Sequence, residues 1–272
     1  SEMCIRDSAK SGRPGPVLID ITKDAQFELF DFSYNKINGI RSYNPIPEID
    51  KNKIKEAARL INKAKKPLIL WGQGVILGNA ERELIDLVEK TGIPAAWTIL
   101  GASAIPTEHP LNVGMLGMHG NYAPNVKTNE CDVLIAIGMR FDDRVTGDVT
   151  RYAKQAQIIH FEIDPAEVNK NIEVDIAVLG NAKDTLREII KYVETNSHKN
   201  WLKEFSDLYK VEFNKVIDAE INPTKKGLTM GEVIKHINKH TKGDAAIVTD
   251  VGQHQMVACR YANFRNSKSN IT

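Results

Sequence analysis

Cysteine is scarce in this sequence, and the cysteines that occur lie far apart. The 272 residues contain three, Cys4, Cys131 and Cys259, and no CxxC pair. A disulfide framework needs several cysteines in a short chain, and a structural zinc site needs closely spaced ligands, so we expect neither. This usage favours a reducing compartment, and we expect a cytoplasmic location.

An excess of either charge is also missing, as is any long apolar run. The 36 Lys and Arg residues nearly balance the 35 Asp and Glu residues, and no long block of like charge is present. Nucleic acid is therefore not an expected partner. The most apolar segments, PLILWGQGVIL and VLIAIGM, are too short to span a bilayer, so a membrane is not expected either. Small molecules and other subunits are the expected partners.

A globular composition and an alternating pattern are what the sequence does contain. Hydrophobic residues make up 42% and charged residues 26%, as in ordinary folded domains. From about residue 54, predicted helices such as ERELIDLVEKT alternate with continuous apolar strands such as PLILW and DVLIAIGM. Continuous apolar strands separated by helices indicate a parallel sheet that is buried on both faces. We therefore expect an α/β fold with a doubly wound parallel sheet over about residues 50–195.

Both flanks of this sheet have the pattern of other α/β units. GRPGPVLIDI predicts a turn and a buried strand over residues 12–21. Residues 99–120 predict a long loop, and residues 198–226 predict a helix followed by a linker. From residue 228 we expect a helix, the strand AAIVTDVG and a second helix, with no strand after them. We interpret the chain as a fragment of a longer protein, with partial α/β domains at both ends.

The first candidate for ligand binding is the glycine loop after the first strand. Ligands of open parallel sheets bind beyond the carboxyl ends of the strands, and Gly72, Gln73 and Gly74 follow PLILW directly. Glycines there could let the backbone approach a phosphate at a helix N-terminus. The spacing is not GxGxxG, and the next strand ends at Trp97-Thr98 without the acidic residue expected for a ribose of NAD. A ligand loop and a glycine-rich tight turn are equally favoured.

Two later loops also follow strands. The segment GMHG, residues 117–120, lies in a long loop, which is often functional, but these residues alone favour a surface loop with a buried methionine. After DVLIAIGM comes RFDDR, residues 140–144. Its two arginines and two aspartates could bind phosphate and hydroxyl groups or could form salt bridges within the loop. The position at the carboxyl end of a strand favours binding.

Carboxylates and amides follow the remaining strands. Glu162 and Asp164 follow IIHF and could accept hydrogen bonds from ribose or ribityl hydroxyls, although Asp164 ahead of Pro165 could equally cap a helix. Near the end of the chain, Gly252, Gln253 and His254 lie between a predicted strand and a predicted helix. They could hold a phosphate, and helix capping is the alternative.

Five of these segments together resemble one family. SGRPGPVLIDITKDAQ, MLGMHG, GMRFDDRVTG, HFEIDPAE and VGQHQM, in this order and spacing, closely resemble acetolactate synthase large subunits, which are thiamine diphosphate enzymes. The resemblance extends from about residue 10 to residue 272, and RFDDRVTG together with MLGMHG is specific. Such enzymes have a pyrimidine-binding domain, a central FAD-binding domain and a pyrophosphate-binding domain. The resemblance therefore implies that residues 1–30 end the first domain (1–8 are unlike the family), 31–195 are a linker and the central domain, 196–227 are a helical linker, and 228–272 begin the third domain.

The resemblance implies an enzyme that condenses two 2-ketoacids, pyruvate with pyruvate or with 2-ketobutyrate, and releases carbon dioxide. This is the first shared step of isoleucine, valine and leucine synthesis. It also implies FAD, thiamine diphosphate and Mg²⁺ as cofactors, a homodimer or homotetramer of large subunits, and a regulatory small subunit as a further partner. A plant or algal source would imply a plastid location. Related FAD-containing carboligases or oxidases and a nucleotide-binding module without catalysis are the alternatives.

Catalytic residues and metal ligands are not expected in this segment. The family's catalytic glutamate precedes the matching region, and its GDG motif for magnesium follows it, so the fragment alone is expected to be inactive. Asn181 stands where the family usually has GDA, which implies a weaker FAD contact there. The contacts with FAD that the resemblance implies are Arg13, Gly72, Gln73, Gly74, Thr98, Ile99, Leu116, Gly117, Met118, His119, Gly138, Arg140, Asp142, Arg144, Val145, Glu162, Ile163 and Asn181. The contacts with thiamine diphosphate that it implies are Val251, Gly252, Gln253 and His254.

Overall fold

A parallel six-stranded sheet lies at the centre of the structure, a computed structural model that describes residues 2–33, 43–224 and 226–272. The strands are β1 (Pro67–Trp71), β2 (Ala95–Trp97), β3 (Asn112–Met115), β4 (Val133–Ile137), β5 (Gln157–Glu162), β6 (Ile176–Leu179), β7 (Ile247–Val248) and β8 (Asn270–Ile271). The helices are α1 (Glu2–Lys10), α2 (Lys23–Phe27), α3 (Lys51–Lys63), α4 (Gln73–Leu77), α5 (Glu81–Thr91), α6 (Tyr122–Thr128), α7 (Asp143–Thr146), α8 (Ala182–Ile189), α9 (Lys199–Glu212), α10 (Asp218–Ile221), α11 (Met230–Thr241) and α12 (Gln253–Tyr261). A π-helical turn, Phe213–Ile217, joins α9 to α10.

The strand order confirms the expected doubly wound architecture. The six strands are arranged β3-β2-β1-β4-β5-β6, and every neighbouring pair is parallel. The order reverses between β1 and β4, which is the position where open α/β sheets bind ligands. β7 and β8 pair with each other, in parallel, and form a separate small sheet.

Side chains that alternate along the strands build one hydrophobic layer on each face of the sheet. In β1, Ile69 and Trp71 point into one layer, and Leu68 and Leu70 point into the other. Every residue of β1 and of β4 is buried, as continuous apolar runs predict. The first layer is completed by buried residues of α3, α5 and α8, and the second by α6 and α9.

Helix α9 packs closely on the central sheet. Trp201 is 3% exposed, and its indole N–H donates to the carbonyl oxygen of Pro67 at 2.8 Å. The ring of Phe205 meets the Trp201 ring edge-to-face, with centroids 5.0 Å apart. The Lys127 ammonium, nearly buried on α6, pairs with Glu204 of α9 at 2.7 Å. The helix expected in residues 196–227 is therefore present, and its apolar face belongs to the second hydrophobic layer.

The Glu204 ion pair predicts a pH dependence of stability. The hydrogen bond from Lys127 lowers the pKa of the Glu204 carboxyl from its ordinary value of 4.5. Since the folded pKa lies below the unfolded one, the stabilisation is present above about pH 4.5 and is lost as the pH falls through the folded pKa. We expect Glu204→Gln to destabilise the chain at pH 7 and to destabilise it progressively less as the pH falls below about 4.5. Urea denaturation across this range measures the difference, with Asp207→Asn, an exposed site on α9, as control. A difference that does not change with pH would contradict this account.

The structure corrects three expectations. The buried strand predicted in residues 12–21 is wrong: the segment forms no strand, residues 13–21 are exposed, and Leu18 is 94% exposed. Two prolines remove backbone donors there, and no described strand lies beside it to pair with. The loop predicted over residues 99–120 contains β3, and β8 follows α12 where no strand was expected.

Among the described helices, none has both the length and the apolar character needed to cross a bilayer.

Candidate functional site

The residues implied as FAD contacts lie in one row along the carboxyl edge of the central sheet. The loops or residues at the ends of β1, β2, β3, β4, β5 and β6 each contribute to this row. We call this set the edge cluster, and it consists of Gly72, Gln73, Gly74, Thr98, Ile99, Leu116, Gly117, Met118, His119, Gly138, Arg140, Asp142, Arg144, Val145, Glu162, Ile163 and Asn181. Because the strands are parallel, their carboxyl ends meet at the same edge, so residues distant in sequence become neighbours.

Three glycines interlock where the strand order reverses. The Gly72 amide donates to the Ile137 carbonyl at 3.0 Å, and the Gly74 amide donates to the Gly138 carbonyl at 2.9 Å. A Cβ atom on Gly74 would lie 2.6 Å from the Cα atom of Gly138, and Gly138 also has a φ of +56°. These glycines therefore let the loops after β1 and β4 touch backbone to backbone. Gly72 immediately precedes α4, so the loop is also a tight turn into a helix.

The loop after β3 lies against the loop after β4. The Met118 amide donates to the Arg144 carbonyl at 2.7 Å. Gly117 has a φ of +100°, and the Asn125 side chain holds its backbone through two hydrogen bonds. Met118 itself is 65% exposed, so the expectation of a buried methionine at this position is wrong. The loop presents the Met118 side chain, beside the partly exposed His119, to the outside of the sheet edge.

The arginine and aspartate loop forms internal salt bridges and keeps its guanidinium groups accessible. Arg140 pairs with Asp142 at 3.2 Å, and Arg144 pairs with Asp143. The Asp142 carboxylate also accepts hydrogen bonds from the Arg144 and Val145 amides, so it caps α7. The side chains of Arg140 and Arg144 remain 59% and 68% exposed. Both therefore retain donors that face solvent and could bind an anionic group.

A buried histidine and a buried glutamate lie side by side at the end of β5. His160 is fully buried, and its Nε2 atom donates to the Met139 carbonyl at 2.8 Å, since a carbonyl can only accept. The same nitrogen lies 3.6 Å from an oxygen of Glu162. The other Glu162 oxygen accepts from the amides of Ile163 at 2.9 Å and Asp164 at 3.2 Å. His160 was not among the sequence candidates, although its place two positions before Glu162, on the same face of an alternating strand, was a signal.

Arg13 joins the edge cluster from the far end of the sequence. Its guanidinium pairs with Asp164 at 3.4 Å and with Glu167. Asp164 also caps the following turn by accepting from the Ala166 amide at 3.0 Å, which was one of its two expected roles. Burial by itself raises the pKa of the Glu167 carboxyl, but hydrogen bonds from Lys170 and Arg13 outweigh it, so that pKa lies below its ordinary value. Glu167 was not a sequence candidate, because only the fold brings Arg13 to it.

Two ends of the edge cluster have structural contacts of their own. Asn181 caps α8, with its side-chain oxygen accepting from the Lys183 amide at 2.9 Å. At the other side, the Thr98 amide donates to the Trp71 carbonyl at 3.0 Å. The Ile99 carbonyl accepts from the Asn270 side chain of β8 at 3.2 Å, so the C-terminal segment touches the edge cluster.

The implied thiamine diphosphate contacts lie in a separate place. Val251 and Gly252 lie between β7 and α12, and Gln253 and His254 begin α12; Val251, Gln253 and His254 are exposed. Gly252 occupies the N-cap position of α12 without a side-chain hydrogen bond. Within the part of the chain that the structure describes, no hydrogen bond or ion pair joins these four residues to the edge cluster. The structure therefore brings together the residues implied for FAD and keeps those implied for thiamine diphosphate apart from them.

Comparisons with known proteins agree on one family. The model of the central domain of thiamine pyrophosphate (thiamine diphosphate) enzymes matches residues 54–189. The acetolactate synthase large subunit of Buchnera aphidicola subsp. Schizaphis graminum is 38% identical over 263 residues, which are 96% of this chain and 46% of that protein. The probable acetolactate synthase large subunit of Methanocaldococcus jannaschii is 41% identical over 256 residues, 91% of this chain and 43% of that protein. The acetolactate synthase large subunit of Corynebacterium glutamicum is 37% identical over 266 residues, which are 96% of this chain and 42% of that protein. The chain spans less than half the length of these relatives.

Proposed function

Because this chain belongs to the thiamine pyrophosphate enzymes, whose central domain it contains, we propose that it is the central segment of an acetolactate synthase large subunit and that its edge cluster binds FAD. The observation that carries the proposal is the convergence of groups from all six strand ends on the edge where the strand order reverses. Those groups are of the kinds that a dinucleotide needs, namely exposed guanidinium groups, close backbone amides and a carboxylate.

The chemistry of the edge cluster fits FAD part by part. Arg140 and Arg144 retain solvent-facing donors that suit phosphate oxygens. One Glu162 oxygen accepts from the Ile163 and Asp164 amides, and the other, 3.6 Å from the buried His160 nitrogen, could accept from a hydroxyl group. Met118 and His119 project from the loop after β3, where a flat ring could pack on them. These residues would bind and orient the flavin nucleotide.

The whole protein, in this proposal, condenses two molecules of 2-ketoacid and releases carbon dioxide. Thiamine diphosphate, when bound, supplies the carbanion chemistry of that reaction, and the protein supplies orientation and electrostatics. Residues 251–254 offer backbone amides at the N-terminus of a nine-residue helix, which suits a phosphate group. Mg²⁺, the homodimer or homotetramer, the regulatory small subunit and the cytoplasmic or plastid location remain proposals from the same resemblance. The segment alone is expected to have no activity.

Retention of flavin by the purified chain tests the proposal directly. We expect the chain to quench the fluorescence of added FAD and to keep flavin absorbance after desalting, while NAD at the same concentration competes poorly. Circular dichroism confirms that the sample is folded. Absence of flavin from both this chain and the full-length protein that contains it would overturn the FAD assignment.

The Arg140→Ala substitution tests whether the Arg140 guanidinium binds a phosphate group of FAD. A hydrogen bond from a charged group contributes about 1.5–3 kcal/mol, so the Kd for FAD should rise by about tenfold or more. The main structural contact of the Arg140 side chain is an exposed pair with Asp142, so stability should change little. Isothermal titration calorimetry measures the Kd. Arg59→Ala, at an exposed site in the middle of α3, is the matched control and should bind FAD as the wild type does. Equal affinities for the two variants would argue against a phosphate at Arg140.

A further inference from the structure

The side chain of Asn125, on α6, holds the loop after β3 through two hydrogen bonds with the backbone of Gly117. Its side-chain oxygen accepts from the Gly117 amide at 2.8 Å, and its side-chain NH₂ donates to the Gly117 carbonyl at 2.9 Å. A carboxamide that both accepts from and donates to one residue replaces the partner that a neighbouring strand would otherwise provide. Gly117 lies beyond the end of β3, the outer strand of the sheet, and the described part of the chain has no further strand on that side.

The conformation that Asn125 holds depends on a glycine and on contacts with two other segments. Gly117 has a φ of +100°, outside the range that most residues adopt. A Cβ atom on Gly117 would lie 2.7 Å from the Arg144 carbonyl oxygen, so the loop is pressed against the loop after β4. The Met118 amide donates to that same oxygen at 2.7 Å. Asn125 on one side and Arg144 on the other therefore hold Gly117 and Met118, in addition to the hydrogen bonds from the Gly120 amide to the Gly117 carbonyl at 2.9 Å and from the Leu116 amide to the Trp97 carbonyl at 3.0 Å.

The helix that carries Asn125 is itself held firmly. Pro124 and Thr128, on either side of it, are buried, and the Thr128 hydroxyl donates to the Pro124 carbonyl at 2.8 Å. Lys127 pairs with Glu130 at 2.6 Å and with Glu204 of α9 at 2.7 Å. The Asn125 side chain thus connects an exposed loop to a packed layer of the domain. The exposed Met118 directly follows Gly117, the residue that Asn125 contacts.

We propose that Asn125 is a positioning residue for flavin binding: by holding Gly117 it keeps the Leu116–His119 loop in the shape that receives the flavin ring. The inference rests on the proposed function of the edge cluster, and Asn125 acts through Gly117 without a contact of its own with the ligand. Its removal should therefore alter the environment of the ring as well as the affinity for FAD.

Asn62 offers a matched control elsewhere in the fold. Its side chain donates to the Tyr192 carbonyl at 3.2 Å and accepts from the Glu194 amide at 3.0 Å. It lies at the end of α3, ahead of β1, and therefore near the amino edge of the sheet, opposite the edge cluster. Asn62→Ala removes the same two kinds of hydrogen bond as Asn125→Ala, so the two variants should lose similar amounts of stability.

The experiment compares wild type, Asn125→Ala, Asn125→Asp and Asn62→Ala by FAD titration and by hydrogen exchange. We expect Asn125→Ala to raise the Kd for FAD about five- to tenfold, to shift the visible flavin bands and to speed exchange of the Gly117 amide. Asn125→Asp keeps the acceptor but sets a carboxylate against the Gly117 carbonyl, so it should weaken FAD binding at least as much. Asn62→Ala should leave the Kd and the flavin bands unchanged.

The outcomes separate this inference from the proposed function. A folded wild-type chain and full-length protein that both bind no FAD would refute the proposed function and with it the role of Asn125 towards flavin. Wild-type binding with the same Kd and the same flavin bands in Asn125→Ala would refute the positioning role alone. A rise in Kd for Asn62→Ala equal to that for Asn125→Ala would show that general loss of stability, and not the loop, weakens binding.

Discussion

Gly138→Ala is expected to destabilise the chain by about 2–5 kcal/mol, because it combines a backbone penalty with a collision. The φ of +56° disfavours a side chain, and the added Cβ would lie 2.7 Å from the Gly74 Cα atom and 3.0 Å from the Val75 nitrogen. All of these neighbours are backbone atoms, so no side chain can rotate away. The loops after β1 and β4 would have to separate, and the hydrogen bond from the Gly74 amide would be lost. Urea denaturation gives the free energy of unfolding.

Two other glycines separate the parts of this effect. Gly147 also has a φ of +56°, with a ψ of −124°, and no atom lies within 4 Å of an added Cβ, so Gly147→Ala measures the cost of a side chain at positive φ without a collision. Gly74→Ala places a Cβ 2.6 Å from the Gly138 Cα atom at a glycine without a positive φ, so it measures the collision. A cost below about 1 kcal/mol for Gly74→Ala would show that the interlocked loops contribute little to stability.

Trp201→Ala should cost about 3–5 kcal/mol, the usual range for removing a buried aromatic side chain. Trp201 is one of the large buried side chains of the second hydrophobic layer, and its truncation also leaves the Pro67 carbonyl without its indole donor. The ring of Phe205 and the ammonium groups of Lys66 and Lys127, 4.8 and 5.3 Å from the indole centroid, lose their contact surface as well. Thermal and urea denaturation measure the loss.

Matched variants on α9 show whether the loss comes from burial. Trp201→Phe keeps an aromatic ring but removes the indole N–H, so it should cost less than Trp201→Ala. Tyr209→Ala removes a half-exposed ring from the same helix and should cost little. A loss below about 1 kcal/mol for Trp201→Ala would mean that α9 does not stabilise the central sheet, contrary to its packing.

The central sheet could be predicted because its strands are continuous apolar runs. PLILW and VLIAI are buried at every residue. Continuous apolar runs between helices are typical of strands in a parallel sheet that is buried on both faces. VLIDI in residues 17–21 has a similar composition and forms no strand. A strand also needs a neighbour with free backbone groups, and local sequence does not reveal whether one is present. β3 and β8 were missed for the converse reason, since NVGM and NI become strands only because a partner edge lies beside them.

The candidate site was predictable as a set of strand ends and not as a set of contacts. Parallel order places every residue that follows a strand at one edge, so Gly72, Arg140 and Glu162 could be selected from the sequence. The side chains that contact the residues of the site could not be selected in this way. Asn125 approaches Gly117 because α6 folds back along β3, and Glu167 meets Arg13 across more than 150 residues of chain. Neither pairing has a local pattern in the sequence.

By itself the sequence determined the layered α/β class, the burial of the central strands on both faces and the edge of the sheet at which the candidate residues lie, because period, polarity and the placement of strand ends follow from local composition and parallel topology. Tertiary structure alone decided which carboxylate pairs with Arg13, why Gly74 and Gly138 must both be glycine, and that His160 lies buried beside Glu162. Those features depend on distances of a few ångströms between segments far apart in the chain. Such distances are set by how the loops pack after the sheet has formed.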